Sequence, residues 1–224
     1  MVQTKEQDIK KMKKGAIFDM DGLMFDTERV YQETWEELGA EYGVTLGDVF
    51  AREICGTAGD REKEILCRYY HTDDAESLLK ENARRVRQKL TEVVPEKPGI
   101  REILAFFKEN GVRTAVASSS PIELIRHNLA QTGLDQYIDS MISGANLEHG
   151  KPAPDVFLKA AESIGLPAED CYVFEDAYNG VRAGHAAGAY TVMIPDILPP
   201  DDEMRAKADL VCDTLTEALA IIRS

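Results

Sequence analysis

The sequence predicts an α/β fold: a parallel sheet covered on both faces by helices and interrupted by an inserted all-helical subdomain. Three observations carry the prediction. Short apolar runs recur along the chain, helical repeats separate most of them, and one long stretch after the first run shows helical repeats alone. Alternation of this kind is what parallel strands require, because each crossover between them is usually a helix.

The first run is Gly15-Ala16-Ile17-Phe18, closed by Asp19, and reads as a buried strand. Residues 28–92 follow without a convincing strand. Tyr31, Trp35, Leu38 and Tyr42 share one helical face there, and Leu79, Ala83, Val86 and Leu90 share another. Pro95-Glu96-Lys97-Pro98-Gly99 is a stiff exit, and the entry lies near Asp26-Thr27. The organisation expected is a discontinuous core, residues 1–27 with 93–224, carrying an insert of residues 28–92. Two strands of chain joining insert to core suit a hinged cap; a rigid helical lobe fits equally well.

Alternation then resumes. Ile100, Ile103, Leu104 and Phe107 repeat at helical spacing until Asn110-Gly111 stops the helix. Strand-like runs lie at 113–117, 140–143, 172–174 and 190–194, with a weaker one at 209–212. Ser120-Pro121-Ile122-Glu123 reads as a capping box with proline at the first helical position. Pro154-Asp155 opens a helix carrying Phe157, Leu158 and Ala161. Gly180 and Gly184 are expected to let a helix approach the sheet closely, and Asp201-Asp202-Glu203 reads as a solvated loop.

The chain has 224 residues and a formal net charge of −14. It is long enough to bury a core without staples. The negative balance argues against nucleic-acid binding and against docking on anionic membranes. A small phosphorylated ligand is compatible with it, because a cation and one or two lysines can invert the sign locally. Cys55, Cys67, Cys171 and Cys212 form no Cys-x-x-Cys pair and read as reduced thiols. The start is basic at Lys10, Lys11, Lys13 and Lys14, but the apolar run behind it is too short for a signal segment. A cytoplasmic monomer is the expectation. His71, His127, His149 and His185 share no metal-ligand spacing.

The polar residues just beyond the apolar runs define a candidate site. Asp19 and Asp21 follow the first run, Ser118, Ser119 and Ser120 the second, Lys151 lies beyond the third, and Glu175 and Asp176 follow the fourth. In an open parallel sheet all these strand ends lie along one edge, where ligands bind. A carboxylate can attack phosphorus, and a second one nearby can exchange the proton. Crowded carboxylates call for a hard cation, and Mg2+ suits oxygen donors. A hydroxyl and an ammonium can hold phosphoryl oxygens.

Four segments resemble, in order, the four motifs of the haloacid dehalogenase superfamily. They are Phe18-Asp19-Met20-Asp21-Gly22-Leu23, Val116-Ala117-Ser118-Ser119-Ser120, Gly150-Lys151-Pro152-Ala153-Pro154-Asp155 and Phe174-Glu175-Asp176-Ala177-Tyr178-Asn179-Gly180. The subgroup resembled is that of β-phosphoglucomutases and sugar-phosphate phosphatases. The resemblance implies a Rossmann-like core with an inserted α-helical cap. It implies Asp19 as nucleophile and metal ligand, and Asp21 as acid/base lending its backbone carbonyl to Mg2+. Ser118 would bind the phosphoryl group with Lys151 and backbone N–H groups near Asp21 and Ser119. Asp176 and Glu175 would complete the metal site, although Glu175 can also be read as a salt-bridge partner.

The resemblance leaves the acceptor open. In β-phosphoglucomutases a histidine stands where this chain has Tyr31. An arginine after a cap glycine has a shifted counterpart in Gly56-Thr57-Ala58-Gly59-Asp60-Arg61, and Lys80 falls near a cap lysine that could hold a distal phosphate. Lys80 also reads as a solvated helix lysine. The expected activity is a Mg2+-dependent phosphatase of small phosphorylated metabolites, with a phosphohexomutase as alternative. A non-catalytic binder keeping the fold would normally have lost Asp19 or Asp176.

Overall fold

A computed structural model describes residues 12–54, 57 and 59–224. Lys10, Lys11, Cys55, Gly56 and Ala58, which enter the sequence reading, lie outside the described residues. The chain divides into two compact units: one runs up to Phe25 and resumes over Glu96–Ser224, and the other is Asp26–Pro95.

The larger unit is the expected α/β core. Its strands are β1 (Gly15–Phe18), β2 (Arg113–Ser118), β3 (Ser140–Ser143), β4 (Cys171–Glu175), β5 (Tyr190–Met193) and β6 (Leu210–Val211). They form one parallel six-stranded sheet in the order β3-β2-β1-β4-β5-β6. The first strand is therefore central. The chain builds outward to β3, returns to the other side of β1, and builds outward again. The order reverses between β1 and β4, and open parallel sheets bind ligands beyond the carboxyl ends of the strands at such a point.

Strand residues alternate between two covered faces. Phe18 and Phe174 stack with centroids 4.6 Å apart, and Phe107 of α5 (Ile100–Glu109) packs on them. On the other face Ile17, Ala115 and Val173 meet Phe157, Ala160 and Ala161 of α7 (Asp155–Ser163). Each large side chain buried in this way contributes roughly 1.5–3 kcal/mol, which holds the strand ends in place. α8 (Tyr178–Ala186) approaches closely at Gly184, where a Cβ would stand 2.8 Å from Thr191 Oγ1 and 3.0 Å from Val173 Cγ1.

Two local readings are corrected. Ser120 does not cap α6 (Ile122–Thr132): Pro121 occupies the N-cap position and no side-chain cap bond forms there. The acidic run at 201–203 is a helix start rather than a loop. Asp201 accepts a hydrogen bond from the Met204 N–H, opening α9 (Asp202–Lys207).

The smaller unit contains α1 (Thr27–Glu41), α2 (Asp48–Ile54), α3 (Asp60–Tyr70) and α4 (Ala75–Glu92). Its core gathers Trp35, Leu38, Phe50, Ile65, Leu66, Tyr70 and Leu78. Tyr70 Oη donates to the Trp35 carbonyl at 2.7 Å. Trp35, Leu38, Val86 and Leu90 are buried as their spacing predicts, but the buried stripes are shifted around them. Tyr31 and Tyr42 are exposed while Val30 and Thr34 are buried; Ala83 is exposed while Leu78 and Asn82 are buried. Thr34 can be inside because its hydroxyl donates to the Val30 carbonyl at 2.7 Å, which removes the cost of burying a lone hydroxyl.

Candidate active site

Strand register explains why the acids converge. Phe18 pairs with Val116 on one side and Phe174 on the other. Asp19 thus leaves the sheet level with Ala117 and Glu175, and its N–H donates to the Phe174 carbonyl at 3.0 Å. The chain then turns sharply. Gly22 has φ +84°, and a Cβ there would lie 2.4 Å from Asp176 Oδ2. Only glycine satisfies both the left-handed backbone and the close carboxylate.

Lys151 organises the interior of the site. Its ammonium donates to Asp19 Oδ1 and, at 2.7 Å, to Glu175 Oε1, and sits 4.8 Å from the centre of the Phe157 ring. Glu175 Oε2 accepts from the N–H groups of Asp176 and Ala177 at 2.8 and 2.9 Å. Gly180, on α8, makes room for this carboxylate: a Cβ there would fall 1.7 Å from Glu175 Oε1. The glycine serves the acid, whereas sequence suggested helix–sheet packing alone.

Burial sets the electrostatics. Desolvation pushes the Asp19 carboxyl up to about 7; Lys151 opposes the rise, while Glu175 and Asp21 add to it. Asp176 is likewise raised well above the usual carboxylate range, first by burial and then by Glu175, Asp19 and, more weakly, Asp196. Burial works against the Lys151 charge, but the two facing carboxylates more than offset this and raise its pKa.

Asp19, Glu175 and Asp176 each offer an oxygen within 4.8 Å of the others. Such a set of hard oxygen donors, held together against repulsion and desolvation, fits a divalent cation. The Asp21 carboxylate is not in this group. It faces β2, where Oδ2 accepts from Ser120 Oγ at 2.8 Å and from Ser118 Oγ at 3.3 Å. Ser118 Oγ in turn accepts from the Ser120 N–H at 3.0 Å.

The structure therefore brings Asp19, Asp21, Ser118, Lys151, Glu175 and Asp176 to one sheet edge. Ser119 is beside Ser118 and exposed. Arg61 and Lys80 belong to the helical unit, where both are exposed; Arg61 stands 3.6 Å from Glu64.

Sequence reasoning gave Ser120, which stood among the candidate residues, the role of a cap, and it missed two further contributors. Ser143 donates to the Ser120 carbonyl at 2.7 Å and had no assigned role. Asp196, three positions beyond the end of β5, was passed over. Its Oδ1 accepts from Lys97 Nζ at 2.6 Å, and its Oδ2 faces the Gly22 turn, 3.3 Å from where a Cβ would stand.

Comparison with known proteins gives the family and the fold. The family model described as haloacid dehalogenase-like hydrolase matches residues 16–194. A phosphorylated carbohydrates phosphatase of Thermotoga maritima is 32% identical over 77% of this chain and 81% of its own length. Hexitol phosphatase B of Escherichia coli K12 is 30% identical over 92% of this chain and 94% of its own. The crystal structure of a HAD family hydrolase from Deinococcus radiodurans, with bound phosphate and sodium, superposes with a TM-score of 0.80. It is 26% identical and covers 94% of this chain and 96% of its own.

Proposed function

The chain belongs to the haloacid dehalogenase-like hydrolases, and from that premise we propose that it is a Mg2+-dependent phosphatase of small phosphorylated metabolites, sugar phosphates foremost. The observation that carries the reading is the buried acid set around Lys151, with Asp21 turned aside onto two serine hydroxyls.

In this reading Asp19 attacks the phosphorus of the ester, and the bond from phosphorus to the sugar oxygen breaks. Asp21, oriented by Ser118 and Ser120, gives its proton to the departing oxygen. It then takes a proton from water, and the resulting attack on phosphorus releases phosphate and restores the Asp19 carboxylate. Ser118, Lys151 and the N–H groups near Asp21 and Ser119 hold the phosphoryl oxygens while charge spreads over them. Asp19, Glu175, Asp176 and the backbone carbonyl of Asp21 would hold Mg2+, which when bound neutralises the phosphate and the clustered acids. Salt bridging to Lys151 competes with that role for Glu175.

The helical unit, residues 28–92, would act as the cap that selects substrate, with Arg61 and Lys80 as contacts. Tyr31 at the position of the mutase histidine, and two similar proteins named as phosphatases, favour water as acceptor over a sugar hydroxyl. No helix among the described residues is long and apolar enough to cross a membrane. Cys67, Cys171 and Cys212 are free thiols, which suits the reducing cytoplasm; a monomer is the proposed state.

The test is phosphate release from a panel of sugar and sugar-alcohol phosphates, with and without Mg2+. Sustained release is expected, falling by roughly 1000-fold or more in Asp19→Asn. Absence of turnover on every ester, or undiminished turnover in Asp19→Asn, would sink the reading.

A further inference from the structure

Asp196 has no part in the reaction proposed above, yet it stands at the acid cluster of the core unit. The chain leaves β5 at Met193, and the Ile194 N–H donates to the Glu175 carbonyl at 2.7 Å. The segment thus runs on beside the end of β4, and two residues later Asp196 meets the turn that carries Gly22. A Cβ on Gly22 would stand 2.4 Å from Asp176 Oδ2 and 3.3 Å from Asp196 Oδ2. Both oxygens therefore face the same point, and the Asp196 charge is one of those that raise the Asp176 pKa.

The two oxygens of Asp196 are used differently. Oδ1 accepts from Lys97 Nζ at 2.6 Å, with only 15% of the Asp196 side chain and 20% of the Lys97 side chain exposed. Lys97 is itself fixed, because its N–H donates to the Met24 carbonyl and its carbonyl accepts from the Ile100 N–H. The pair sets the plane of the carboxyl and turns Oδ2 toward the Gly22 turn. Oδ2 is buried and has no hydrogen-bond donor among the described residues. A buried acceptor without a donor is unfavourable, and a charged one more so. Asp176 as a carboxylate only accepts, so it cannot supply the donor. A hydrated cation can. Mg2+ dehydrates reluctantly and keeps several waters when only one or two carboxylates ligate it, and each such water is a strong donor. Asp196 lies outside the set formed by the Asp19, Glu175 and Asp176 oxygens, which suits action on the ion through water rather than by direct ligation.

We propose that Asp196 is a positioning residue of the metal site: its Oδ2 accepts a hydrogen bond from water carried by Mg2+ on the Asp176 side, and Lys97 holds the carboxyl in the orientation this needs. The inference rests on the Mg2+ role proposed for Asp19, Glu175 and Asp176, and adds a fourth acid that acts without touching the ion.

Calorimetric titration of the full chain with Mg2+, in the absence of any phosphate ester, tests this. Asp196→Asn keeps the shape of the side chain, and Lys97 draws its remaining oxygen, so that an amide donor replaces the acceptor facing the cluster. Mg2+ affinity should fall by about 10-fold or more. Lys97→Met separates orientation from charge. Were Asp196 to act through its charge alone, loss of the nearby ammonium would tighten Mg2+ binding; a carboxyl that must be held in place gives several-fold weaker binding instead. Melting of the metal-free variants reports the salt bridge by itself. Should Asp196→Asn fail to fold, Asp196→Ser takes its place with the same expected loss. Unchanged Mg2+ affinity in the Asp196 variant, or tighter binding in Lys97→Met, overturns the proposal and leaves Asp196 a salt-bridge partner of Lys97. Absence of Mg2+ binding by the unaltered protein would overturn the metal assignment and the proposal together, so the two failures are told apart.

Discussion

In the core unit Asp19, Glu175 and Asp176 meet out of water around one lysine, whereas in the helical unit charge is spread over the surface in pairs. Lys151 and its two acidic partners keep a tenth or less of their side-chain surface exposed. Arg85 reaches Glu41 and Glu81, Arg84 reaches Glu81, and Lys89 reaches Glu37; Arg84, Glu41 and Glu37 are exposed and the others half-buried. Exposed pairs of this kind contribute about 0–1 kcal/mol each and constrain little. A buried cluster carries a desolvation penalty that a purely structural site would avoid with apolar residues. The contrast separates charges that support helices at the surface from charges held in a buried cluster, where the proposed reaction would use them.

The strongest way to break the contrast is to disturb the buried cluster without touching a charged residue. Gly180→Ala places a methyl group on the Glu175 carboxylate. It should lower thermal stability by about 2–4 kcal/mol and weaken Mg2+ binding by roughly 10–100-fold, read by melting and by calorimetric titration. Unchanged metal affinity would show that Glu175 is only a salt-bridge partner. Next in size is Ser120→Ala, which deletes the shorter of the two serine bonds to Asp21. The expected result is a kcat/KM about 10-fold lower with the melting temperature nearly unchanged. An unaffected rate would leave Ser120 no part in orienting Asp21.

A smaller effect follows from the titration of Asp19. Its folded pKa, about 7, exceeds the ordinary 3.8, so between those values the folded state binds more protons than the unfolded one. Stability of the metal-free protein should therefore fall as pH rises through that window. Mg2+ should raise Tm by a few degrees at pH 8 and by much less at pH 5; an equal increment at both would separate the cation from these acids. The smallest effects belong to the helical unit. Arg61→Ala and Lys80→Ala should leave Tm and kcat within error and raise KM for sugar phosphates about 3-fold. A collapse of kcat in either would place catalytic charge in the helical unit and end the contrast.

The same division governs what was legible in the sequence. Strands buried on both faces announce themselves as apolar runs, and an acid at the end of such a run is conspicuous, so Asp19, Glu175 and Asp176 stood out. Asp196 escaped notice because Ile194 and Pro195 separate it from β5. Ser120 was misread because serine before proline, with glutamate three positions on, mimics a cap; only the tertiary structure reveals Asp21 as the competing acceptor. In the helices Tyr31 and Ala83 scored as apolar while Thr34 and Asn82 did not. Polar residues on the buried side are invisible to a hydrophobic period.

The junction between the units has a practical consequence. Phe25 and Glu96 form an antiparallel bridge, Lys97 N–H donates to the Met24 carbonyl at 2.9 Å, and Asp26 N–H donates to the Pro95 carbonyl at 2.8 Å. The outgoing and returning chains are thus zipped side by side, so the span between them enters and leaves through a single doorway. Closing so narrow a gap needs only a short turn, and exchanging what it spans asks nothing of the sheet. The junction is a ready splice site, at which this helical unit could be transplanted onto a related core, or another put in its place.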